Sequence, residues 1–434
     1  MFIIELREVS AGLRSQEEVD AIVSGVERSG LRPVLRTMVQ AAYSAAGVQP
    51  RPSDFHAFLG EDRLYRARRD QVPAPGDLFF TPDEAYVLRP SPSKLQVWSI
   101  RHHTKEGNAA QVCETITQAA RNSFDGRRLR GMDFAWKEAA PALRDLEFRS
   151  RPRREVRLQS RPAEYTSEEI SQASILSSAP HRDFLIRLAQ VRGRARSVDA
   201  DSEVGSDIPK SLLDANLVTQ EYLLICRQDS HTICSLRDRN QLSMEPLGTA
   251  RCSICGRPFS QELVQDIFAL SDDGSRLVAK SHWMTVWVTD LLVASGIPSQ
   301  AVTWNATSGE DEIDIITDVY GTRVFFELKD RDFGLGDAYP FLYRLERYGG
   351  SMGVVISTDH VAEEVKRFLQ ERQAGVRQAP VEVIEEGDSI PSLLPRLVDR
   401  ISTVPANRII QEFAEPFGVD PLPLFREWLV RAVP

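Results

Sequence analysis

The stretch Gly309–Asp330, GEDEIDIITDVYGTRVFFELKD, constrains the fold of this chain more than any other. Two runs of alternating apolar residues flank Tyr320-Gly321, the pattern of two antiparallel strands joined by a tight turn. With the turn centred on Tyr320-Gly321, residues paired across it have numbers that sum to 641, so Asp314 faces Glu327. Directly opposed side chains have Cβ atoms roughly 4.5–5.5 Å apart. Alternation adds Lys329 to the face of Glu327 and turns Phe326 and Leu328 to the other. A slip of one residue scatters the group. Like charges set opposite each other destabilise a sheet unless they share a proton or bind a cation. Two or three such oxygens, with waters, suit Mg²⁺ or Mn²⁺. Such an ion polarises a phosphoryl oxygen and lowers the pKa of a bound water, and a lysine beside it orients the water and balances negative charge. This is equipment for phosphodiester hydrolysis. Lysine is also rare here: seven of the 53 basic residues, the rest being arginine, so Lys329 carries information.

The flanking sequence extends the pattern. SHWMTVWVTDLLVASGIP reads as a helix ending at Gly296, with Pro298 beyond, and AVTW as a short strand. After the hairpin come a helix (GDAYPFLYRLERYGG), a strand (GVVIST) and a second helix (DHVAEEVKRFLQER). Asp…Glu-x-Lys on a hairpin in this order resembles the PD-(D/E)XK restriction-endonuclease-like superfamily. It is similar to Mrr-like restriction enzymes, whose core has the form G…xIDIxxxxxGxxxxxxxK, through Gly309, Ile313, Asp314, Ile315, Glu327, Leu328 and Lys329. The resemblance covers Lys280 to Arg372, about a fifth of the chain. It implies an αβββαβ core followed by a helix, a Mg²⁺-dependent (or Mn²⁺-dependent) nuclease acting on DNA, and Asp314, Glu327 and Lys329 as its catalytic residues. Many members place a further acid on the first helix; here that helix offers only Asp290, with Glu312 as a substitute on the strand, and the number of metal ions stays open. Arg344 and Arg347, three apart on the following helix, share a face. They either bind substrate phosphates or pair with neighbours such as Glu346.

Four of the five cysteines fall within Cys226–Cys255. CSICGRPF is a knuckle in which Cys252 and Cys255 converge on one ion and the following glycine relieves the tight backbone. Cys226 and Cys234 bracket RQDSHTI, and a hairpin can bring them together. A closed set of Cys226, Cys234, Cys252 and Cys255, or of three cysteines and His231, is a structural zinc site with no open position. A redox pair is disfavoured because the knuckle does not sit at a strand-to-helix turn.

The chain reads as a multidomain α/β (α+β) protein. Residues 1–145 form an α/β region of unassigned role, 146–172 an Arg/Pro-rich linker, and 173–262 a winged-helix domain carrying the zinc site. Residues 263–375 form the restriction-endonuclease-like nuclease domain and 376–434 a C-terminal helical cap. In the winged-helix region PKSLLDANLV is followed by strands TQEYLLIC and HTICSL, and Arg192, Arg194 and Arg196 add local charge. That fold reads DNA or serves as a protein adaptor. His102-His103 are adjacent, so alternation turns them apart and a surface role is expected. The formal net charge is −9, so any nucleic-acid contact is local. The start MFIIELREVSAG has no basic n-region, no apolar run is long enough to span a bilayer, and a cytoplasmic location is expected. DNA is the expected partner; a protein bound through residues 1–145 and a homodimer are further expectations. A non-catalytic adaptor built on a nuclease-like scaffold, and a nuclease subunit activated by a partner, are the alternatives to an autonomous enzyme.

Overall fold

A computed structural model describes residues 1–11, 13, 16–45, 76–90, 93–123, 134–139, 159–190, 194–196, 207–373, 379–414 and 420–432. The N-terminal elements are β1 (Phe2–Ser10), α1 (Gln16–Arg28), α2 (Val34–Ala45), β2 (Asp77–Phe80), β3 (Glu84–Pro90), β4 (Lys94–His102), α3 (Ala109–Ser123) and β5 (Lys137–Ala139). They form an antiparallel sheet in the order β2-β3-β4-β1-β5. Next come β6 (Gln159–Pro162), α4 (Ser167–Leu176), α5 (Ala179–Gln190), β7 (Arg194–Arg196), α6 (Asp207–Asp214), β8 (Val218–Ile225), β9 (Thr232–Leu236) and β10 (Leu263–Leu270). The remainder comprises α7 (Asp272–Val278), α8 (His282–Ala294), β11 (Val302–Ser308), β12 (Asp311–Val319), β13 (Thr322–Lys329), α9 (Leu335–Arg347), β14 (Met352–Ser357), α10 (Glu363–Gln373), β15 (Val381–Ile384), α11 (Ile390–Ala414) and α12 (Leu422–Ala432).

The hairpin of β12 and β13 lies inside a six-stranded mixed sheet ordered β15-β14-β13-β12-β11-β6. Tyr320 and Gly321 both have positive φ, 50° and 84°. This is the two-residue turn whose twist suits a hairpin. Its register runs from Val319↔Thr322 to Ile315↔Phe326, every pair summing to 641 as the sequence requires. β13 then pairs in parallel with β14, and β14 with β15. One face of the sheet is covered by α8, α4 and the first half of α11, through a core that includes Trp283, Trp287, Phe326, Val354 and Leu394. The other is covered by α9 and α10, through Phe325, Phe341, Leu345, Val355 and Val365. β13 is thus buried on both faces, and the acids do not have one side of it to themselves. α8 is apolar nearly all round, as a helix enclosed by neighbours must be. It ends at Gly296, whose φ of 98° and close approach to His103 leave no room for a side chain.

Three boundaries differ from the sequence reading. The arginine-rich segment assigned to a linker ends in β6, an edge strand paired with β11; residues 146–158 lie outside the described residues. α4 starts at Ser167, inside the segment assigned to the linker, because Thr166 and Glu169 form a reciprocal capping box at 3.1 and 2.8 Å. The C-terminal segment is more than a cap: β15 completes the sheet, and α11 crosses from the core of the mixed sheet to that of the N-terminal sheet, where Ile409, Ile410 and Phe425 pack on Phe2, Ile4 and Leu6. His102 is buried, contrary to the expected surface role. The strand ends there, so alternation lapses: the rings of His102 and His103 lie 4.4 Å apart. Both imidazoles meet the Met1 amino group, and His102 also meets Asp399 of α11 at 3.2 Å.

α4, α5 and α6 share the apolar core of the mixed sheet through Leu176, Leu185, Leu188 and Leu212. Among them Arg182 of α5 is buried and ion-paired at 2.7 Å with Asp330, the residue after Lys329. Its guanidinium also donates to the carbonyls of Leu176 and Ser177 and lies over the Trp283 ring. Removing one partner strands a buried charge. Arg182→Ala should therefore cost roughly 3–5 kcal/mol in urea unfolding, and the pair Arg182→Met with Asp330→Leu far less. Equal losses in the two variants would mean that packing, and not charge, sets the cost.

Candidate active site

The acid cluster forms where the β12–β13 ladder ends. Beyond Ile315↔Phe326 the carboxylate of Asp314 takes over from its backbone, and its Oδ2 accepts the Leu328 amide at 2.7 Å. On the far side of β12, Asn305 of β11 has φ 46° and drops out of the ladder. Consequently Ile313 packs under α9 and α10 while Ile315 packs under α8. Asp314 sits at the crossing between the two core layers. Strict alternation does not anticipate this irregularity.

Glu327 is buried, with 3% exposure, and both its oxygens are engaged. Oε1 lies 3.1 Å from Lys329 Nζ and Oε2 lies 2.8 Å from Arg344 Nη2. Lys329 also reaches Asp337 at 3.7 Å and keeps a quarter of its side chain in solvent. Arg344 further donates to the main-chain carbonyl of Glu312. Burial, then the adjacent Glu327 charge, push the Asp314 carboxyl up to about 7. Hard oxygens converging at such a strained charge are a fit for a divalent cation, which would relieve the repulsion. Asp314 and Glu327 would be its protein ligands, with Arg344 released from Glu327.

The remaining sequence candidates divide. Arg344 is an ion-pair partner of Glu327, and Arg347 pairs with Asp311 at 3.2 Å, so both sit at the site but already hold carboxylates. Glu312 faces Lys280 at 3.6 Å. Asp290 does not join the cluster: burial alone raises its carboxyl, and its charge adds to the burial that pushes up the Tyr165 hydroxyl. Arg192 lies outside the described residues, and Arg194 falls in β7, of which the backbone alone is described. Sequence reading missed Asp337 and Arg182. Asp337 was legible as the first-turn acid of α9, held at Gly334. Arg182 carried no signal, since its partner lies 148 positions away along the chain.

The second cluster lies between β8 and β10. Cys226, Cys252, Cys255 and Glu262 bring ligand atoms within 4.8 Å of one another, as do Cys226, Asp229 and His231. Cys234 is outside these groups. It sits in the ladder opposite Leu224, one strand away from the knuckle, which corrects the four-cysteine set. His231 Nε2 lies 3.9 Å from Cys252 Sγ, and its Nδ1 is bound to Asp229. A tetrahedral zinc with Zn–S of about 2.3 Å and Zn–N of about 2.0–2.1 Å places sulfur and nitrogen about 3.6 Å apart. A carboxylate behind the imidazole is the usual outer partner of a metal-bound histidine. Glu262 accepts the Arg227 amide at 2.7 Å and the Cys255 thiol at 2.7 Å, and pushes that thiol up to about 12. The donor set fits one structural metal.

No family model matches the chain, and no curated protein is similar to it in sequence. Among solved structures, protein VC1899 from Vibrio cholerae is similar at a TM-score of 0.34 and 12% identity, over 55% of this chain and 58% of that one. Can2 from Sulfobacillus thermosulfidooxidans, in complex with cyclic tetra-adenylate, gives 0.34 and 13%, over 56% and 58%. A repair endonuclease from Pyrococcus abyssi gives 0.19 and 15%, over 42% of this chain and 95% of that one. This chain spans less than two thirds of the length of the first two. No helix among the described residues is long and apolar enough to cross a membrane.

Elemental analysis of the purified chain should find one zinc per chain, retained in Cys234→Ser and lost in Cys252→Ser and His231→Ala. Equal loss in Cys234→Ser would restore the four-cysteine set. A second expectation concerns pH. The folded Asp314 carboxyl titrates near 7 and its unfolded counterpart near 3.8, so the folded chain holds the extra proton between them. Wild-type stability therefore falls as pH rises through that window. With EDTA present, Asp314→Asn should gain on wild type from about pH 4 to about pH 7, by on the order of a few kcal/mol. A pH-independent difference would place the charge elsewhere.

Proposed function

We propose that this chain is a Mg²⁺- or Mn²⁺-dependent nuclease that hydrolyses DNA phosphodiester bonds at a PD-(D/E)XK-type site. The observation that carries the reading is the convergence of Asp314, Glu327 and Lys329 at the end of one hairpin, with Lys329 Nζ 3.1 Å from Glu327. A bound divalent cation supplies charge neutralisation at the scissile phosphate and a more acidic water. The chain's own groups do the rest. Asp314 and Glu327 provide anionic oxygens whose mutual repulsion a cation relieves. Lys329 is held on its inner side by Glu327 and Asp337 and is open on the other. It can therefore orient a water for in-line attack and offset charge building on the phosphate. Arg344, once released from Glu327, would present a guanidinium suited to a phosphate oxygen.

The helices and sheet of residues 167–270, with their metal cluster, support a winged-helix-like module that positions substrate or a partner; restriction or phage defence, then repair, are the roles that suit it. A second reading has its own support. Both Glu327 oxygens are taken by Lys329 and Arg344. That favours a nuclease subunit kept silent until substrate or a partner draws Arg344 away.

The test is incubation with plasmid, single-stranded DNA and RNA in Mg²⁺, Mn²⁺ or EDTA. Wild type should cleave DNA with metal. Lys329→Ala and Asp314→Ala should lose at least about a hundredfold in rate, the scale of a general acid–base contribution. Cleavage persisting in both variants rules this site out.

A further inference from the structure

α9 has one buried face, formed by Ala338, Phe341, Leu342 and Leu345. Its outer face carries Tyr339 and Tyr343, each 56% exposed, and then Arg347. These stand four apart, so they form one stripe with neighbouring side chains about 5–6 Å apart. The stripe is braced. Arg347 donates to the Tyr343 hydroxyl at 2.8 Å, and its guanidinium lies 5.5 Å from the Tyr343 ring and 5.4 Å from that of Tyr348. Tyr339 leans on Phe368 at 5.1 Å. Fold stability does not require two tyrosines in water at these positions, since the core under α9 is complete without them.

The stripe borders the acid cluster. Arg347, the last member of the stripe, pairs with Asp311 on the strand that carries Asp314, while Arg344 on the adjoining face of the helix pairs with Glu327. Three solvent-facing cations line the rim of the cluster, each paired with one carboxylate that a phosphate would have to displace or share: Lys280 with Glu312 at 86% exposure, Arg331 with Asp337 at 61% and Arg347 with Asp311 at 42%. Exposed aromatic rings beside cations form the surface that holds unpaired nucleic acid, with bases stacked on rings and phosphates on the cations. A duplex keeps its bases stacked on each other and cannot use such rings.

We infer that Tyr339 and Tyr343 form a stacking platform for a single-stranded DNA segment lying across α9, with its backbone directed by Lys280, Arg331 and Arg347 to Asp314 and Glu327. The inference rests on the nuclease reading and deepens it by naming the strandedness of the substrate.

The test uses the full chain in EDTA, so that nothing is cut, with fluorescence anisotropy of a short labelled oligothymidine and of a duplex of equal length. The double variant Tyr339→Ala/Tyr343→Ala should weaken oligothymidine binding by about tenfold or more and duplex binding by less than about twofold, as base–aromatic stacking predicts. Tyr339→Phe/Tyr343→Phe should bind as wild type. Matching melting curves establish that both variants are folded. Equal weakening on the two probes overturns the platform, as does unchanged oligothymidine binding. So does a wild-type dimer that the alanine pair dissociates in sedimentation while oligothymidine binding holds, which assigns the stripe to protein contact. The nuclease reading is separated by plasmid cleavage in Mg²⁺ with Asp314→Asn. Cleavage lost in that variant, with no effect of the alanine pair on binding, defeats the platform alone. No binding and no cleavage by wild type defeats both.

Discussion

The buried ion pair of Arg182 and Asp330 ties the strand that carries Glu327 and Lys329 to the helices behind it. Arg182 on α5 reaches Asp330, the residue that follows Lys329, and Trp283 of α8 donates to the same carboxylate at 3.0 Å. The end of β13 is therefore fixed from two helices at once, on the face away from α9. At the other end of the hairpin the Tyr320 hydroxyl accepts the Ile4 amide at 2.7 Å, anchoring the turn to the N-terminal sheet. A buried pair adds little net stability, but losing one partner is costly, and so it fixes geometry. Here the geometry it fixes is where Lys329 leaves the sheet.

Charge balance at the cluster follows from the same restriction. Asp314 and Glu327 cannot both ionise cheaply in a dry setting. The chain compensates with Lys329 and Arg344, and the Asp314 carboxyl rises even so. Any cation that enters must compete with Arg344 for Glu327. That competition makes Arg344 the group whose movement links cation entry to substrate contact in the proposed reaction. The cysteine cluster between β8 and β10 stands apart from this site. Its ligand atoms close on one another, and a metal held there would clamp the loop segment that carries them.

Much of the hairpin was legible because its determinants are local. Alternation and a two-residue turn fix the register, which carries the ladder to Ile315↔Phe326 and leaves Asp314 at its end, near Glu327. The irregularity at Asn305 was not read: asparagine tolerates a left-handed backbone, but the alternating strand around it gives no reason to expect one there. Cys234 was misassigned because spacing alone cannot tell a cysteine in a ladder from one in a turn. His231 gives the better geometry, through a contact with Asp229 two positions earlier that spacing alone does not reveal. The His102–His103 pair failed for a related reason: alternation holds only while a strand continues. Arg182 and the path of α11 depend on contacts between residues far apart in the chain, which no periodic pattern encodes.

The central claim is that Asp314 and Glu327 jointly hold a divalent cation against Arg344. Titration of the metal-free chain with Mn²⁺, followed by electron paramagnetic resonance of the free ion, measures it without reference to any substrate. Wild type should bind the ion, Asp314→Asn should lose it, and Arg344→Ala should bind it more tightly. Binding of equal strength in wild type and Asp314→Asn would contradict the claim.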